Sequence, residues 1–182
     1  VYKGITFDGA TVTVRASAGN DEASALFTDE DDIVIKNGSI VDAFAEGQFS
    51  TAISTRNYYP NEAGGHIYIS DSVVKAIARY VESGSDGPDH YSNDQSGAVI
   101  PEHRGVNIGI FARTKEGITP ATISIVRSKV TAEGDTAAIF ALAVSADGET
   151  IGTIEIEGAP IQTPTGGKII GYRNKEELDD GI

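Results

Sequence analysis

The stretch Ile33-Val34-Ile35-Lys36-Asn37-Gly38-Ser39-Ile40-Val41-Asp42-Ala43-Phe44 decides how this chain reads as a fold. β-Branched residues, which fit a pleated and half-buried surface, lie on both sides of Asn37-Gly38. Asn-Gly supplies the two positive φ angles of a type I′ turn, whose twist matches that of paired strands. The stretch therefore predicts a β-hairpin, and an antiparallel sheet around it.

Working outward, Ile5-Thr6-Phe7, a turn at Asp8-Gly9, and Thr11-Val12-Thr13-Val14 predict a first hairpin of the same kind. Residues 16–32 are small and acidic and read as a loop with a short helical turn near Glu22 to Phe27. Phe49 to Arg56 and Gly65 to Ser70 read as strands around a Tyr58-Tyr59-Pro60-Asn61 turn. Residues 71–84 predict an amphipathic helix. Asp71 is its N-cap, Val73, Val74, Ile77, Tyr80 and Val81 form the apolar stripe, and Gly84 is its stop.

A polar loop follows at 83–97. Next come Val106 to Thr114 and a meander of Thr122 to Val130, Thr136 to Val144 and Thr150 to Glu157. Lys168 to Tyr172 reads as a last strand and 174–182 as an acidic tail. No period of 20–50 residues stands out. The expectation is a single β-rich domain over 1–182, an antiparallel β-sandwich or barrel, jelly-roll-like, with one α-helix packed on a sheet.

Composition narrows the use of such a domain. The chain has no Cys, Met or Trp. It therefore forms no disulfide or thiolate metal site and has little to oxidise, which suits life outside a reducing cytoplasm. A start at Val1 fits either trimming of an initiator Met or removal of a longer leader. The net charge of −13 repels phosphate backbones, and no Lys/Arg cluster interrupts it, so nucleic acid and anionic membrane surfaces are not expected partners. No apolar run approaches the roughly 20 residues of a membrane-spanning helix.

Motifs for chemistry are sparse. His66, His90 and His103 stand in no ligand spacing, and no Gly-x-Ser-x-Gly elbow or phosphate-binding Gly loop occurs, so no enzyme and no catalytic residue are expected. Asp86, Asp89, Asn93 and Asp94 bring hard oxygens together in a glycine-bearing loop, a candidate calcium site. Asp29, Glu30, Asp31 and Asp32 form a second acidic knot, and Tyr58, Tyr59 and Tyr91 are candidate sugar-stacking rings.

Strands at the two ends, 1–15 or 168–173, suit exchange with a neighbouring copy, with Ile5, Phe7, Val12 and Val14 as candidate assembly residues. The expected function is a structural subunit that assembles with copies of itself, through strand edges, into an extracellular, pilus-like filament or tube. The alternatives are a virion tail-tube or shell component, and a monomeric module binding carbohydrate, a surface or calcium.

Overall fold

The computed structural model describes residues 4–18, 22–57, 64–81, 107–114, 120–145, 148–158, 161–163, 168–173 and 176–181. The turn at Asn37-Gly38 forms, with φ of 55° and 78°. The strands that it joins do not pair with each other. The strand before it pairs in parallel with residues 28 positions earlier (Ile5↔Ile33) and 34 positions later (Ile33↔Ile67). The turn is a corner, and the chain winds as a parallel β-solenoid.

The first coil consists of β1 (Ile5–Asp8), β2 (Thr11–Ser17) and β3 (Glu22–Asp29). The second holds β4 (Ile33–Lys36), β5 (Ile40–Gly47) and β6 (Phe49–Asn57), and the third β7 (Ile67–Ser70), β8 (Val73–Tyr80) and β9 (Asn107–Thr114). The fourth holds β10 (Thr122–Val126), β11 (Lys129–Glu133) and β12 (Ala137–Ser145), and β13 (Gly148–Ile151) folds back antiparallel on β12. The fifth has β14 (Thr153–Glu157), a single bridge from Gln162 to Thr131, and β15 (Lys168–Arg173), against which β16 (Glu176–Gly181) returns antiparallel.

Three faces result: β1-β4-β7-β10-β14, β2-β5-β8-β11 and β3-β6-β9-β12-β15, each parallel throughout. Along each strand alternate side chains point into the space that the three faces enclose. In-register stacking then turns each inward position into a column of like residues. On the first face the column is Ile5, Ile33, Ile67, Ile123 and Ile154, with the last four fully buried. On the second it is Val12, Val41, Val74 and Val130, with Val14, Ala43, Ala76 and Ala132 beside it. On the third it is Leu26, Ile53, Ile110, Ile139 and Ile169.

Between the columns the interior is narrow and filled by small residues. A Cβ on Gly109 would lie 2.7 Å from the Ala138 carbonyl and 2.9 Å from those of Ala76 and Glu133, so this position between the second and third faces takes only glycine.

This architecture corrects several expectations. The antiparallel sandwich or barrel does not form, because both predicted hairpins open into corners whose strands gain more burial by stacking on other coils than by pairing locally. The predicted helix is β8. Val74, Ala76 and Ala78 point inward at 1%, 0% and 2% exposure, while Val73, Lys75 and Arg79 are exposed. Val73 and Ile77 on the outer side complete a stripe that mimics a helical period, and Asp71 is a left-handed corner residue (φ 46°) instead of an N-cap.

Residues 22–27 are strand, and the predicted strand 122–130 is broken into β10 and β11 by a corner at Arg127. A repeat is present after all. Its spacing runs 28, 34, 56 and 31 residues along the isoleucine column, because segments of unequal length are inserted between coils.

Ile67→Ala empties a position sandwiched between two isoleucines and should lower stability by about 2–5 kcal/mol. Ile5→Ala, stacked on one side only, should cost less than about half of that. Urea unfolding of both variants measures the contrast, and equal losses would be inconsistent with this stacking.

Candidate functional site

Coil-to-coil contact is the one interaction repeated throughout the molecule, and its chemistry is clearest at the corners. After the last residue of each first-face strand the backbone enters the left-handed region: Gly9 (φ 62°), Asn37 (55°), Asp71 (46°), Arg127 (46°) and Gly158 (104°). Glycine and Asn enter it at low cost, whereas Asp71 and Arg127 are held there by their neighbours. Arg127 donates through Nε and Nη2 to the two carboxylate oxygens of Asp71, both at 2.7 Å, so one corner residue grips the next.

Serine follows at this corner in three consecutive coils. Ser39 Oγ accepts the Ala10 amide at 3.2 Å and donates to the Lys36 carbonyl, and Ser128 Oγ accepts the Ser72 amide at 3.1 Å and donates to the Val126 carbonyl. Ser39, Ser72 and Ser128 are buried, so their hydroxyls satisfy backbone groups that water does not reach. The turn from third to first face repeats the device. Asp32 Oδ1 accepts the His66 amide at 3.0 Å, and His66 Nδ1 accepts the Thr122 amide at 3.1 Å. Between second and third faces the Asn107 amide nitrogen donates to the Gly47 and Arg79 carbonyls at 3.3 and 3.2 Å.

Outer side chains add ion pairs between coils: Lys36–Asp8 at 3.4 Å, Arg15–Asp42 at 2.8 Å and Arg56–Asp29 at 2.9 Å. The Asn37 amide and Lys36 beside Asp8, the Arg15 guanidinium beside Asp42, and the Arg127 guanidinium beside Asp71 each hold a carboxyl below its ordinary range. Arg127 is correspondingly held above its own by Asp71.

Against this background the first coil differs from the coils that follow it. Ile5, Phe7, Val12 and Val14, the candidate assembly residues, all point inward and are half-buried. The residues one coil along in the same columns, Ile33, Ile35, Val41 and Ala43, are 0–1% exposed. Among the described residues, β1, β2 and β3 pair on one side only, with β4, β5 and β6.

The other sequence candidates fare differently. Asp86, Asp89, Asn93 and Asp94 lie outside the described residues, as do His90, His103, Tyr58, Tyr59 and Tyr91. The knot at 29–32 does not converge on one point, since Asp29 faces Arg56 and Asp32 holds the His66 amide. Among the described residues no three His, Asp or Glu side chains are grouped to hold a metal ion. Nor is any helix there long and apolar enough to cross a membrane.

On the third face a shallow depression is lined by Glu22, Phe27, Thr51, Ser54, Phe111 and Arg113. Its hydroxyls satisfy one another, Ser24 with Thr51 and Thr51 with Ser54, both at 2.8 Å, and the Arg56 guanidinium lies over the Phe27 ring at 4.9 Å. Comparison with protein-family models, with curated proteins and with solved structures finds no match to this chain.

The corner residues escaped the sequence reading because their common property is a backbone angle. Asn-Gly, Asp-Ser and Arg-Ser share it without resembling one another. The recurring serine one or two positions later was the available signal.

The three lowered carboxyls fix a pH dependence. Each is more acidic folded than unfolded, so its contribution is fully present above the unfolded carboxyl range near pH 4 and is lost as pH falls through the lower folded value. Wild type should therefore unfold at higher urea than Asp71→Asn above about pH 4. That advantage should fade toward pH 2, and an advantage that grew in acid would contradict the pairing.

Proposed function

We propose that this chain is a non-catalytic structural subunit that assembles by continuing its own ladder, another β-coil stacking on the open edge of β1, β2 and β3. The observation that carries the reading is the half-burial of Ile5, Phe7, Val12 and Val14, whose neighbours one coil along, Ile33, Ile35, Val41 and Ala43, are sealed. A stacked layer would finish burying these four side chains, at about 1 kcal/mol or more each, and would supply main-chain partners along three strands at once. Flat, regular, hydrophobic edges of this kind pair readily unless they are blocked.

A composition with nothing easily oxidised supports a place outside the reducing cytoplasm, on a cell surface or in a virion. The acidic surface supports partners that are copies of the same fold over nucleic acid.

The alternative is a monomeric binding module, favoured by the unequal spacing of the isoleucine column, 28, 34, 56 and 31 residues, which marks insertions of different length between coils. Insertions between repeats are how repeat proteins commonly build a binding surface.

Sedimentation velocity of the purified chain from micromolar to near-millimolar concentration separates the two. The structural reading predicts reversible association that Val12→Lys/Val14→Lys abolishes, together with amide exchange in β1–β3 that slows as concentration rises. The exchange measurement keeps the test open if the double variant unfolds its first coil. A chain that stays monomeric throughout, with β1–β3 exchange independent of concentration, would overturn edge assembly in favour of the binding module.

A further inference from the structure

Asn37 is the only asparagine of the chain that precedes a glycine. Such a pair carries its own chemistry, because the glycine nitrogen can attack the side-chain amide carbon of the asparagine. Glycine, with no Cβ, hinders the resulting ring least. Asn37 and Gly38 are both exposed, and a Cβ built on Gly38 would meet nothing within 4 Å. Water therefore reaches both reacting groups.

Each of these groups is held by a different neighbouring coil. The electrophile is the Asn37 side chain, whose Nδ2 donates to Asp8 Oδ1 of the first coil at 2.8 Å. Donation from an amide N–H to a carboxylate strengthens the amide resonance and leaves Cγ a poorer target. The nucleophile is the Gly38 nitrogen, which donates to the Asp71 carbonyl of the third coil at 2.7 Å. To attack, that nitrogen must give up its proton and turn toward Cγ, and donation to Asp71 opposes both. The Lys36 carbonyl fixes the turn further by accepting the Gly9 and Ser39 amides at 3.2 and 3.3 Å. Gly9, Asp71, Arg127 and Gly158, which hold the same corner position in the other coils, have no side-chain amide.

From this arrangement we infer that Asn37 is a deamidation site gated by coil stacking, silent while the first and third coils grip the corner and reactive when it opens. The reaction needs water alone. The Gly38 nitrogen bonds to Asn37 Cγ, its proton passes through solvent to the amide nitrogen, and that nitrogen leaves as ammonia. Water then opens the five-membered succinimide. Addition at Cγ gives aspartate. Addition at the Asn37 main-chain carbonyl gives isoaspartate, whose backbone runs through Cβ and is one carbon longer.

Either product removes the grip that restrained it. The amide donor facing Asp8 becomes a carboxylate, so two anions meet at hydrogen-bonding distance beside Lys36. Asp8 loses the partner that does most to hold its carboxyl below the ordinary range. Isoaspartate also shifts Gly38 away from the Asp71 carbonyl, because the corner is built for a backbone of standard length. β1 is then weakened at the Asp8↔Lys36 end of its pairing with β4. The change runs one way, since ammonia is lost, and it loosens the coil that carries Ile5, Phe7, Val12 and Val14.

Peptide mapping by mass spectrometry follows the acid formed at Asn37, and an isoaspartate-specific methyltransferase counts the longer product. The full chain is aged at mildly alkaline pH in buffer, in guanidinium chloride, and as Asp8→Ala. Asp8 is exposed at the end of β1, so its replacement leaves the core untouched. Native protein should convert more slowly than denatured protein by about tenfold or more, as expected for a reaction that requires local opening. Asp8→Ala should speed native conversion by about fivefold, the effect of one net hydrogen bond. Aged native protein should exchange its β1 amides faster than fresh protein. Native conversion at the denatured rate would overturn gating by the corner, and this comparison needs no variant. An Asp8→Ala rate equal to or below that of wild type would overturn the grip assigned to Asp8.

Discussion

Everything in this molecule depends on one constraint: parallel strands stacked in register place like side chains on top of one another. An isoleucine between two isoleucines about 4.8 Å above and below is enclosed along the solenoid axis by its own kind. The other two faces need only enclose it from the sides. That is why Ile33, Ile67 and Ile123 are fully buried in a chain with few large aromatics and an interior largely of isoleucine and alanine. A thin, repetitive core of this kind gains little from any single contact. Its stability is close to a sum over neighbouring coils.

The corners convert that constraint into a chain path. A strand that ended in a hairpin would fold back beside itself, and its inward residues would lose the coils above and below. A left-handed residue after each first-face strand swings the chain onto the second face, and at the second and fourth coils a nearby serine accepts a corner amide of the coil before. Strain at Asp71 and Arg127 is offset by the paired hydrogen bonds between them, so two residues with little intrinsic taste for positive φ hold one corner each. The same logic accounts for His66, whose imidazole serves here as a backbone acceptor for the next coil.

Much of this was legible in the sequence as strands and turns, and little of it as architecture. The alternation at 5–14, 33–44 and 137–144 marks true strands, and Asn37-Gly38 and Asp8-Gly9 mark true turns. What the residues do not display is partner choice. A turn with positive φ serves a hairpin and a solenoid corner alike, and the pairing is settled by burial against residues 28 to 56 positions away. The repeat itself is masked by unequal insertions.

β8 misleads for a related reason. Its inward side is Val-Ala-Ala, too small to stand out against Val73 and Ile77 on the outer side. Of the candidate functional residues, Ile5, Phe7, Val12 and Val14 stand out in the sequence by strand alternation. Their place as the half-buried inward side of the first coil is visible only in the stacking.

The central claim is therefore parallel, coil-to-coil pairing in place of local hairpins, and it has a direct test. In a parallel ladder, backbone protons of Val34 lie close to those of Tyr68 and its neighbours, as the pairing of β4 with β7 requires. A hairpin about Asn37-Gly38 would instead bring Ile35 against Ile40. Nuclear Overhauser contacts in the assigned, isotope-labelled protein distinguish the two. The account predicts cross-strand contacts linking residues 33–35 to 67–69 and to 5–7, with none linking Ile35 to Ile40 across the turn as paired strands. Antiparallel contacts between 33–35 and 40–44 would contradict it.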